Sequence, residues 1–188
     1  MADPHHIASL DGFDRLTVRS YRAGLAASAA LLLLSAALHL AGAATEPVRS
    51  ALVVAMTLSV AASCQSVHLY LKLLRWFLPV LAWTGAALQL VAPLTPSEAA
   101  RWLSAAGFGF ALAALSGLAL KERICFRIPG LIAVPAVLAL SLAPWLAGTA
   151  WAVGALHGVA GVILARLVLA KSAQPLHFDI GDKSAYQL

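Results

Sequence analysis

The chain has 188 residues, of which 61% are hydrophobic and 11% charged, with a mean hydropathy of +0.86. Soluble domains run nearer about 45–50% apolar and 25% charged, so the composition excludes a soluble globular protein and points to repeated membrane crossings. Each crossing takes about 20 residues, which leaves no room for a soluble domain of about 50 residues or more. The net charge of +5 and a pI near 9.7 are therefore first a topology signal. No basic stripe with interleaved aromatics suggests nucleic acid, and two cysteines are too few for a disulfide framework.

Six apolar stretches follow in chain order, at 24–43, 48–71, 77–94, 99–120, 131–147 and 150–170. The predicted fold is an all-α bundle of six transmembrane helices, with an N-terminal segment at 1–23 and a C-terminal tail at 171–188. No stretch contains Asp or Glu; Arg49 and Arg101 stand at the outer edges of theirs, and Arg166, the one charge inside a span, is near enough to an end to snorkel. The first stretch follows Arg15, Arg19 and Arg22 and exceeds the 7–15 apolar residues of a secretory signal, so it reads as a retained span. The fifth is short and contains Pro135 and Pro144, which predicts a kink or a tight helical hairpin with the sixth around 146–149.

Alternate loops lie on opposite faces, so basic residues can be counted by side. One side holds Arg15, Arg19, Arg22, Lys72, Arg75, Lys121, Arg123, Arg127, Arg166, Lys171 and Lys183; the other holds only Arg49 and Arg101. The positive-inside rule then predicts both termini in the cytoplasm of a bacterial inner membrane. Arg22, Lys72, Lys121 and Lys171 recur at a spacing near 50 residues. Two spans plus two short loops account for that period without an internal repeat.

Small residues at helical spacing mark faces where backbones approach. Gly154, Gly158 and Gly161 form such a stripe on the sixth span, and Gly109 and Gly117 on the fourth. Packing within one bundle is the first expectation and a homodimer seam the second. Trp76, Trp83, Trp102, Trp145 and Trp151 mostly fall near span ends, as interfacial anchors do.

Chemistry-bearing residues are few. His39 and His157 lie at similar depth on the first and sixth spans, where two imidazoles could be axial ligands to haem b. The bland alternative is a pair of interhelical hydrogen-bonding residues. Cys64 and His68 share a helix face, but two ligands do not make a metal site. HExxH, GxSxG, a Walker loop and GxGxxG are all missing, and so are intramembrane acids of the kind proton-coupled carriers use.

Two segments on the basic side are unusually distinctive: Lys121-Glu122-Arg123-Ile124-Cys125-Phe126, and the tail from Pro175 through His177, Phe178, Asp179, Gly181, Asp182 and Lys183 to Tyr186. With Tyr21-Arg22-Ala23-Gly24-Leu25, they resemble the bacterial and cyanobacterial integral-membrane family called domain of unknown function 2301. The resemblance covers about Tyr21 to Tyr186. It implies a small multi-span membrane protein and carries no catalytic residue over. Lys121, Glu122, Arg123, Asp179 and Asp182 are expected on the cytoplasmic surface, with the tail folded back and its two acids facing the bases of the 121–127 loop.

The expected function is a non-catalytic packing or assembly component of a membrane complex. It predicts no cofactor, and as partners the lipid bilayer and either another membrane protein or a second copy. One alternative is a small facilitator or transporter with a pathway beside the Pro-containing fifth span, Gln65 and Gln89. The other is a haem- or quinone-linked redox protein using His39 and His157.

Overall fold

The computed structural model describes residues 9–181. Asp11 begins the first helix with a capping box: its carboxylate accepts from the Asp14 amide at 2.8 Å, while the Asp14 carboxylate accepts from the Asp11 amide at 3.0 Å. That cap sets the start of α1 (Gly12–Leu40) twelve residues before the apolar run, so 12–23 is helical and continuous with the first apolar stretch. At 29 residues and about 1.5 Å each, α1 is longer than the hydrocarbon core is thick.

Next come α2 (Glu46–Gln65), α3 (Lys72–Val91), α4 (Ser97–Cys125), α5 (Val134–Ala147), α6 (Ala150–Ser172) and a short α7 (His177–Ile180); no strand occurs among the described residues. The second helix stops six residues short of the apolar stretch's end, because 66–71 is non-helical. α4 runs five residues beyond the expected end, which puts Lys121 through Cys125 on helical turns and not in a loop. α5 follows a single 3-10 turn at Leu131–Ala133 and ends on Gly148 at φ +72, a left-handed conformation that lets α6 begin at Ala150. The fifth and sixth apolar stretches thus form a tight hairpin.

Five helices are long and apolar enough to cross a membrane, and Leu131–Ala147 is a shorter apolar segment. Sequential helices pack on one another, α6 closes the ring on α1, and α2 also meets α4 across the middle. The core contains Leu32, Val60, Leu115, Leu138 and Leu164, all fully buried. Phe77, Val80 and Leu90 of α3 and Val162 and Leu169 of α6 are exposed, an outward apolar surface of the kind lipid covers.

Close backbone approach fixes the crossings. A Cβ on Gly85 would lie 2.7 Å from the Gly107 carbonyl oxygen and one on Gly107 2.8 Å from that of Gly85, so α3 and α4 touch backbone to backbone. The glycine stripe of α6 is used inside the chain: Gly154 faces Leu40 and Ala36 of α1, Gly161 faces Leu33, and Gly158 sits more loosely against Ala36. Gly117 receives the Leu78 side chain, while Gly109 makes ordinary contact with Leu142.

Candidate functional sites at the two ends of the bundle

At the end where α1 begins, charged residues meet in the interior. Glu122, on the last turns of α4, is 1% exposed. Its Oε1 accepts from the Tyr21 hydroxyl at 2.5 Å and from Lys121 Nζ at 2.8 Å, and its Oε2 accepts from Lys171 Nζ at 3.0 Å. Lys171 also pairs with Asp179, which lies 2.6 Å from Arg22 Nη2. Arg22 further donates to the carbonyls of Gln174 and Pro175 at 2.8 and 3.1 Å, holding the link between α6 and α7 against α1. The Tyr21 ring lies 4.7 Å from Lys121 Nζ and 5.0 Å from Lys171 Nζ, positions suited to cation–π attraction. Three bases and two acids thus enclose one another, and each acid faces two bases.

The expectation that Lys121, Glu122, Arg123 and Asp179 lie on the surface is corrected here. Glu122 and Asp179 are buried, Lys121 is half-buried, and only Arg123 is exposed. The tail does fold back, with Ile180 buried. Asp179, however, meets Arg22 and Lys171 instead of the bases of the 121–127 segment. Asp182 lies outside the described residues.

At the opposite end, Arg49 and Arg101 lie at the C-terminus of α5. Arg49 Nη2 donates to the Trp145 carbonyl at 3.2 Å, and Arg101 Nη2 to the Leu146 carbonyl at 2.7 Å. Both line a cleft of about 600 Å³, together with Glu46, Gln89, Ser104 and Trp145. The Arg49 guanidinium also sits 5.4 Å from the Trp145 ring. Beside this cleft lies a small cavity of about 10 Å³, room for one water-sized occupant. Arg49 and Trp145 wall both spaces, and His39, His157, Ser35, Met56 and Phe108 complete the inner one.

His39 and His157 meet across α1 and α6, with ring centroids 6.3 Å apart and planes inclined by 76°. Ser35 binds both: its carbonyl lies 2.8 Å from His39 Nδ1 and its hydroxyl 2.9 Å from His157 Nδ1. A porphyrin does not fit this arrangement. The cavity that the two histidines line is water-sized, and the glycines beside His157 pack directly on α1, Gly154 against Leu40, Gly158 against Ala36 and Gly161 against Leu33.

Comparison with known proteins adds the family. Residues 62–188 match the family described as "Uncharacterized integral membrane protein (DUF2301)". A relative from Haemophilus influenzae, itself described as an uncharacterized protein, is 34% identical over 190 residues and covers the whole of both chains. The chain belongs to the DUF2301 family. It is accordingly a multi-pass integral membrane protein. No solved structure matches it.

Within this family member, sequence reasoning singled out His39 and His157, and the structure brings them together. It did not connect Tyr21 and Arg22 with Glu122 and Lys171, although three residues of the noted period near 50, Arg22, Lys121 and Lys171, are those that converge. Trp145, read as an interfacial anchor, is half-buried and packs 5.5 Å from the Phe108 ring. Gln65 accepts from Trp83 Nε1 at 3.0 Å, a bond between α2 and α3. Cys64 is buried and Cys125 exposed, and no group of three or more His, Cys, Asp or Glu forms a metal site among the described residues.

Proposed function

We propose that this protein is a facilitator for a small anionic solute, crossing the bacterial inner membrane six times with both termini in the cytoplasm. The cleft at the Arg49–Arg101 end carries the reading. It has the volume of a small-molecule site, two fixed positive groups against the one carboxylate of Glu46, and a wall shared with the buried histidine cavity. Gln89 and the Pro144-containing helix, both expected beside such a pathway, line this cleft, whereas Gln65 does not and is bonded to Trp83. The charge asymmetry of eleven bases against two supports the orientation.

The assembly-component expectation gains less. Of its three grounds, the lack of buried acids fails at Glu122 and Asp179, the α6 small-residue stripe is occupied by α1 of the same chain, and the distinctive segments on the basic side remain.

Two measurements test the proposal. Reporter fusions after Ala44, Trp76, Ser97, Lys121 and Thr149 are expected to alternate sides; two successive junctions on one side would overturn the six-crossing topology. In proteoliposomes, formate or chloride is expected to equilibrate faster than in protein-free vesicles. Arg101→Gln should slow that exchange, and equal rates with and without protein would sink the facilitator reading.

A further inference from the structure

Three buried side-chain nitrogens without a hydrogen-bond partner belong to residues lining one cavity: Nε2 of His39, Nε2 of His157 and Nε of Arg49. Buried polar atoms are rarely left this way, and both histidines are more than nine-tenths buried. Their hydrogen-bond partners place the protons. The Ser35 carbonyl can only accept, so Nδ1 of His39 carries a hydrogen and its Nε2 presents a lone pair. The Ser35 hydroxyl accepts from that same Nδ1 at 3.3 Å and donates to Nδ1 of His157 at 2.9 Å. His157 therefore carries its hydrogen on Nε2. Arg49 Nε bears one always.

The residues lining the cavity thus carry two unpartnered N–H donors and one unpartnered basic nitrogen. We propose that His39, His157 and Arg49 form a subsite for one small monovalent anion, held by a single anionic atom and taken up with one proton. The proton binds Nε2 of His39 and turns it into the third donor, and the anion accepts from all three nitrogens. Anion and proton together add no net charge, which a low-dielectric interior favours over either alone. A cavity of about 10 Å³ suits a halide, or one oxygen of a formate-sized carboxylate whose remainder points toward Arg49. The permanent guanidinium charge disfavours a metal cation there.

The other charged groups at this end are Glu46 on α2, 3.4 Å from Arg49 and largely exposed, and Glu98 and Arg101 on α4. α5 contributes none, and α6 contributes only His157 in its first four turns. The inference rests on the cleft being the solute's entrance, because Arg49 and Trp145 separate the two spaces.

The test is isothermal titration of the full chain in detergent, in chloride-free buffer, with sodium formate and sodium chloride as separate probes and sulfate as a divalent control. One formate or one chloride per chain is expected, and no sulfate. Binding by chloride alone assigns a halide, and binding by formate assigns a carboxylate. The complex holds one proton more than the free protein, so affinity must fall as pH rises, by up to about tenfold per unit. A flat pH profile, or no binding of either anion, overturns the proposal. His39→Gln keeps a hydrogen-bonding amide but takes no proton, so it should bind more weakly and without pH dependence; an unchanged slope would overturn the role of His39. The pH series uses the unaltered chain and decides the matter even if that variant fails to fold. Flux without site binding overturns this inference and leaves the cleft reading standing, whereas site binding without flux supports it and overturns the facilitator.

Discussion

The two ends of the bundle handle buried polarity in opposite ways. Where the chain begins, Glu122 and Asp179 each contact two bases, Tyr21 gives Glu122 a further hydrogen bond, and the one buried oxygen there that accepts no hydrogen bond, Asp179 Oδ1, is ion-paired with Lys171. Where α5 ends, three buried nitrogens around one cavity have no partner. A network in which every charge faces an opposite charge specifies one arrangement of helices and rigidifies it, whereas buried nitrogens that face no partner at all are uncommon and call for an occupant. The first end therefore reads as a structural clamp and the second as a receptive site.

The largest test of this contrast is Glu122→Ala. It leaves Lys121 without its carboxylate and Lys171 with Asp179 alone, and breaking a buried pair costs about 3–5 kcal/mol. Unfolding of the purified protein in detergent should shift accordingly; a variant as stable as the parent would dissolve the distinction between the ends.

Gly24→Ala is expected to come next. A Cβ there would lie 2.7 Å from the Ser59 carbonyl oxygen, at the crossing of α1 and α2 that positions Tyr21. The overpacking should cost about 1–3 kcal/mol, read in the same unfolding experiment.

Asp179→Asn removes one charge from the clamp but spares Glu122 and Lys171. Its stability cost should be smaller than that of Glu122→Ala, yet cleavage by added protease between α6 and α7 should speed up, because Arg22 loses its carboxylate and keeps only the Gln174 and Pro175 carbonyls. Unchanged cleavage would remove the tail from the clamp.

The smallest stability change is expected at the receptive end. Replacing the histidines together with their shared partner, as His39→Leu, His157→Leu and Ser35→Ala, removes both sides of these bonds as well as the unpartnered atoms, and such paired removal is nearly neutral. A shift within about 1 kcal/mol, with anion binding lost, would sharpen the contrast. A loss as large as that of Glu122→Ala would show that the histidines are structural.

Local patterns account for what was legible. The apolar stretches, the proline-bearing fifth segment and the glycine stripe of α6 are properties of neighbouring residues, and each maps onto a helix or a close contact. Helix ends were less legible. The Asp11–Asp14 capping box extends α1 beyond its apolar run, and α4 continues through polar residues because Glu122 finds its bases on that helix and on α6. An acid judged only by its sequence neighbours looks exposed; its burial depends on partners that the chain supplies elsewhere.

By itself the sequence determined the membrane class, the number of apolar segments and the asymmetry of charge, because transfer of side chains into lipid depends on composition over about 20 residues. The tertiary structure alone decided which polar residues meet. Ser35 and His157 are 122 positions apart, Tyr21 and Glu122 are 101, and Lys171 and Glu122 are 49. No local pattern encodes those contacts, since they arise only when α6 closes the ring on α1 and the ends of separate helices are brought within hydrogen-bonding distance.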